Sequence, residues 1–140
     1  MVNTFKVIVS GFVKNDEGQL LVIRRSDDEE SFPGMLAIPG GTIEVEETGL
    51  LEADTVENNL IREIKEETNI NVEVRGWLES TAMVKEGKGK LYLFFECQLV
   101  DDGSQTATSS ETPEVFWADM KSLDIDQCTP TLKKYIQHTM

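Results

Sequence analysis

The chain is short of the residues that staple a fold or build a nucleophilic triad. Its 140 residues include two cysteines, Cys97 and Cys128, four prolines and a single histidine, His138. Two cysteines make no disulfide framework, so buried free thiols are expected. One histidine close to the C-terminus leaves no Ser-His-Asp arrangement to read, and no catalytic role is expected of it. There is no GxxxxGK[ST] stretch and no CxxC pair. No apolar run could span a bilayer, and the N-terminus lacks the basic and long apolar segments of a signal peptide. A cytoplasmic protein is the default expectation. Basic residues are scarce too: 13 Lys and Arg against 26 Asp and Glu give a net charge of -13. That balance argues against nucleic acid or an anionic membrane as the main partner. It leaves room for a small phosphate ligand, because a bound cation reverses the local field. Length and a 39% hydrophobic content predict one soluble domain over 1–140, as monomer or homodimer.

What is present centres on Ile38-Pro39-Gly40-Gly41-Thr42-Ile43-Glu44 and a helix expected over 60–70. A proline and two glycines form a corner where backbone can approach a ligand closely. In the helix, Glu63, Glu66 and Glu67 stand at i, i+3 and i+4 and share one face. Leu60, Ile61 and Ile64, with Thr68, form a neighbouring stripe that can be buried. An isolated Arg-Glu-Ile-Lys-Glu-Glu run is ordinarily a solvated surface helix. Here the carboxylates repel one another, and Glu66 and Glu67 sit near the helix C-terminus, where the macrodipole disfavours anions. Arg62 and Lys65 offset only part of this. A divalent cation would turn the cluster favourable, since Mg²⁺ prefers hard oxygen ligands.

These residues resemble the Nudix box of the Nudix hydrolases, the MutT-like superfamily. Gly41, Arg62, Glu63, Ile64, Glu66, Glu67 and Ile70 match its positions, and Pro39, Gly40 and Glu44 fit its usual entry. There are departures. The glycine near the end of the motif is Asn69, a residue that also adopts the left-handed conformation of a helix C′ position. The aromatic often found before the corner is absent, with Leu36 in that region. Glu47 lies at the family distance from Gly41, but Arg62 then arrives seven residues late. A lengthened loop over 48–54 accounts for the excess. Asp54 and Glu57 read as a capping box, so the helix should begin near Thr55. Either Glu47 or Asp54 could serve as the loop carboxylate; the reading favours Asp54 as cap and Glu44 or Glu47 as the partner of Arg62.

The flanking pattern predicts a hairpin from 5–13 and 20–25 around an Asn15-to-Gly18 turn, and a short strand over 35–38. A strand over 71–78 follows the helix, then a second hairpin from 83–85 and 90–99, the latter a buried central strand. Residues 101–110 read as a polar loop, and a last helix is expected over 131–137. One of Arg24 and Arg25 should face the site side by the strand pleat, as a phosphate contact or as a solvated strand end. Trp77, Tyr92 and Phe32 could stack a base, although strand aromatics are more often core.

The resemblance implies an α+β mixed sheet held between helices, a Nudix-type α/β/α sandwich. It implies hydrolysis of a phosphoanhydride in a nucleoside diphosphate-linked substrate. Glu63, Glu66, Glu67 and the Gly40 carbonyl would hold Mg²⁺ or Mn²⁺, with Gly41 beside them, and Arg62 would be structural. Glu63 is the first choice for assisting water deprotonation. Glu111 and Glu114 come next, in a region similar to the acidic loop and strand that follow in many Nudix proteins, as an extra metal ligand or a water-activating base, with a solvated loop before the strand as the alternative. The substrate signatures of ADP-ribose, dinucleoside-polyphosphate and coenzyme A hydrolases are absent, which leaves a nucleoside triphosphate pyrophosphohydrolase as the leading expectation. Alternatives are a nucleotide-sugar or other diphosphate hydrolase, or a catalytically silent nucleotide-binding domain.

Overall fold

The β-branched run near the N-terminus forms the strand on which the sheet is assembled. A computed structural model describes residues 4–100 and 113–139. In it β1 spans Thr4–Lys14 and turns through Asn15 and Gly18 into β2, Leu20–Arg24. β3 (Leu36–Ala37) and β4 (Gly40–Thr42) follow, then helix α1 (Thr55–Thr68), β5 (Val72–Lys85), β6 (Lys88–Leu99), β7 (Glu114–Ala118) and helix α2 (Pro130–Thr139). The strand order is β3-β2-β1-β6-β5, with β4 paired to β1 and β7 paired to β2. β1 and β6 run parallel and the other pairs antiparallel, so the sheet is mixed, as expected.

Each face of the sheet has its own helix. On one side Leu60 and Ile64 of α1 pack with Val9, Val13, Leu21, Phe95 and Cys97. Leu132 and Ile136 of α2 pack on the other, with Phe12, Leu20, Val22, Phe94 and Cys128. Alternation along β1 sends Val9 and Val13 to the first core and Phe12 to the second, which is the pleat at work. Burying Leu60 and Ile64 contributes roughly 1.5–3 kcal/mol each, more than helix propensity supplies. Both cysteines are free and buried, one in each core. Burial, with Glu96 nearby, pushes the Cys97 thiol up to about 12.

Three sequence expectations are corrected. The segments at 71–78 and 83–85 are one continuous strand, β5, whose register slips between Val74 and Gly76 and again between Trp77 and Glu79. Such bulges are invisible to a period-two reading. The second hairpin turns on two residues, Glu86 and Gly87, both at positive φ (54° and 78°), so β6 begins at Lys88. The last helix extends through Thr139 and takes in His138. Residues 101–110 lie outside the described residues. Among the described residues no helix is long and apolar enough to cross a membrane.

Candidate active site

The helix carrying the carboxylates is fixed at both ends by chemistry its sequence contains. It starts at Thr55, as expected, but Asp54 does not cap it through its side chain. Asp54 sits at φ 55°, ψ 30°, in the left-handed region, and a capping carboxylate needs extended backbone to reach the first amides. The Asp54 carbonyl accepts instead from the Asn58 N–H at 2.9 Å. At the other end Asn69 adopts φ 63° and its N–H donates to the Lys65 carbonyl, the left-handed stop expected of it. Thr68, fully buried, donates to the Ile64 carbonyl and accepts from the Ile70 N–H.

The helix lies against the glycine corner. Glu67, 9% exposed, accepts from the Gly40 N–H at 3.0 Å. Glu63, with its side chain 17% exposed, packs so closely on Gly41 that a methyl group there would collide with its carboxyl. At Gly40 an added methyl would run into the Val9 carbonyl and Ser10, because β4 lies hard against β1. Glycine at both positions is a matter of space. Two carboxylates therefore meet the same two-residue stretch of backbone.

Glu66 is held elsewhere. Its carboxylate accepts two bonds from one Arg62 nitrogen, at 3.1 and 3.2 Å. The other terminal nitrogen of Arg62 donates to Asn59 Oδ1 at 3.0 Å and lies 3.4 Å from Glu63. This surround raises the Arg62 pKa: the hydrogen bond to Glu66 is the largest cause, against a lowering by burial, with the fields of Glu63, Glu66 and Glu44 adding to the rise. The loop carboxylates Glu44 and Glu47, favoured from sequence as partners of Arg62, form no ion pair with it among the described residues. Glu44 instead gives its backbone N–H to Asn59 at 3.0 Å. The loop that carries both acids is exposed throughout 44–54.

The NUDIX domain family profile matches residues 4–139. The chain belongs to the NUDIX domain family. The resemblance seen in the motif thus extends along nearly the whole sequence. This Nudix domain is 38% identical over 112 residues to a MutT-like protein of Streptomyces ambofaciens, a match covering 79% of this chain but 62% of that protein, so the chain spans under two thirds of that relative's length. It is 29% identical over 129 residues to the nucleoside triphosphatase NudI of Escherichia coli, with 84% of each chain covered. Its fold superposes on the crystal structure of a MutT protein from Methanosarcina mazei with a TM-score of 0.72 at 18% identity, covering 99% of this chain and 94% of that one.

The remaining predicted site residues of the Nudix domain are spread more widely. Arg24 pairs with Glu114 at 2.8 Å and donates to the Gly34 carbonyl. Arg25 bonds the Ser31 carbonyl and Glu29. No described bond links either arginine to the helix carboxylates. Glu111 lies outside the described residues. Trp77 is exposed on β5, Tyr92 stacks on Phe94, and Phe32 sits at a positive φ of 51° in the 25–35 loop. Among the described residues no three acidic, His or Cys side chains are already gathered around a common point. Asn59 was missed from sequence. Its signal was there: an asparagine in a helix interior, a poor helix former three residues before Arg62.

Proposed function

We propose that this Nudix domain hydrolyses a phosphoanhydride bond of a nucleoside diphosphate-linked substrate, with nucleoside triphosphate pyrophosphohydrolysis as the leading case. The observation that carries the proposal is the seating of two helix carboxylates, Glu63 and Glu67, on the Gly40–Gly41 backbone. The donor set fits a hard divalent cation such as Mg²⁺ or Mn²⁺, because carboxylates and a backbone carbonyl are all oxygen donors. Glu63, Glu66, Glu67 and the Gly40 carbonyl are the proposed ligands, Glu66 through one oxygen while Arg62 keeps the other. When bound, the cation neutralises phosphate oxygens and acidifies water.

The chain's own groups then act by position and charge. The Glu63 carboxylate takes the proton of the attacking water, which adds to phosphorus as the anhydride P–O bond breaks and the pyrophosphate leaves with the bonding pair. Glu111 and Glu114 are the next choices for that proton. Arg24 and Arg25 are proposed to meet phosphate oxygens by exchanging an exposed partner, Glu114 or Glu29, for them. Support for a triphosphate comes from NudI, a nucleoside triphosphatase by name, aligned along 84% of both chains.

The test is a nucleotide and nucleotide-sugar panel with Mg²⁺, run beside Glu66→Gln. Metal-dependent release of pyrophosphate or monophosphate is expected, falling by on the order of 100-fold or more in the folded variant. Saturable binding without turnover on any substrate would mean a silent sensor, and turnover unaffected by Glu66→Gln would overturn the ligand assignment.

A further inference from the structure

Asn59 has no role in the motif, yet it is the buried polar side chain at the centre of the helix's contacts with the loop. It is 8% exposed. Its Oδ1 accepts two bonds at 3.0 Å, from the Glu44 backbone N–H and from an Arg62 terminal nitrogen. Its Nδ2 donates to the Thr55 carbonyl at 2.9 Å, one turn back. Arg62 in turn grips both oxygens of Glu66. We infer that Asn59 is a positioning residue, tying the chain that leaves the glycine corner to Arg62 and, through Arg62, setting where Glu66 points.

The loop explains why an amide holds this place. Residues 44–54 are exposed, and among the described residues none of the acids at 44, 46, 47, 52 and 54 forms an ion pair with Arg62. A guanidinium held only by Glu66 and grazed by Glu63 would be free to swing with the side chain it is meant to place. The Asn59 oxygen gives it a second anchor on the helix backbone side. The same oxygen fixes the Glu44 amide, two residues past the end of β4 at Thr42. One neutral acceptor thereby links corner, arginine and carboxylate without adding a fourth negative charge beside Glu63, Glu66 and Glu67. A loss of such outer contacts ordinarily costs 10- to 100-fold in metal affinity or activity.

The inference rests on the proposed metal site, so its test separates the two. Mn²⁺ affinity of the full chain is measured by electron paramagnetic resonance for the unsubstituted protein, Asn59→Leu and Asn59→Asp. The Arg62 side-chain N–H signals and Glu44 amide exchange are followed by NMR without metal. Asn59→Leu, similar in size but without acceptor or donor, should weaken Mn²⁺ about tenfold. It should lower kcat more than it raises KM, broaden the Arg62 N–H signals by faster exchange and speed exchange at the Glu44 amide. Asn59→Asp keeps the acceptor oxygen and should retain the Arg62 signals and the protected Glu44 amide, read without metal because the added charge itself attracts Mn²⁺. A folded Asn59→Leu with unchanged Mn²⁺ affinity and only a lower melting temperature overturns the inference and leaves the metal site standing. Should Asn59→Leu not fold, Asn59→Asp decides: Arg62 released and a fast-exchanging Glu44 amide, without metal, overturn it. If the unsubstituted protein binds no Mn²⁺, the proposed function falls; the Arg62 and Glu44 signals then decide the anchoring by themselves.

Discussion

From Ile38 to Gly41 the backbone is buried or half-buried and its polar groups are used: the Pro39 carbonyl accepts from Gly11, and the Gly40 N–H donates to Glu67. From Val45 to Asp54 every residue is exposed, Leu50 and Leu51 included. The bonds recorded within that loop are local ones, Thr48 to Glu46, Leu50 to Thr48 and Thr55 to Glu52. Both stretches belong to one motif, yet only the first is fixed by tertiary contacts. The comparison teaches that the spacing of a motif can stretch where chain runs through solvent, provided the glycine corner keeps its packing.

The sharpest way to break this comparison is to add one methyl group at the corner. Gly40→Ala drives a Cβ into the Val9 carbonyl, which is backbone and cannot yield cheaply. A loss of about 3 kcal/mol in urea-unfolding stability is expected. Gly41→Ala meets the Glu63 side chain, at its carboxyl and Cγ, which can swing where backbone cannot. It should cost less than about 1 kcal/mol of stability while lowering kcat about tenfold, because the displaced group is the proposed proton acceptor. Equal stability losses at the two glycines would show that the corner is not packed as described. At the small end, removing residues 48–53 should change stability by only about 0.5 kcal/mol, since loop entropy varies slowly with length. A loss comparable to that of Gly40→Ala would mean that the loop is as fixed as the corner.

Much of the fold could be read from local pattern. The Leu60–Ile64 stripe, the first hairpin and the left-handed stop at Asn69 all follow from periodicity or from one residue's backbone preference. What escaped depends on neighbours distant in sequence. The bulges of β5 arise from its pairing with β6. Asp54 resembles a cap in sequence, but the loop delivers it in a left-handed conformation from which its side chain cannot reach the helix amides. The same holds at the site. The motif pointed to the three glutamates and the two glycines, whereas the bond from Arg62 to Asn59, a helical asparagine, rests on side-chain geometry that motif spacing does not carry.

The central claim is that Glu63, Glu66 and Glu67 gather on the glycine corner around a divalent cation. Anomalous scattering from crystals grown with Mn²⁺ and a non-hydrolysable nucleoside triphosphate tests it most directly. The expected result is a peak at about 2.1 Å from oxygens of these three carboxylates, with one Glu66 oxygen still on Arg62 and the substrate's phosphates completing the shell. A peak elsewhere on the molecule, with both Glu66 oxygens still on Arg62, would contradict it.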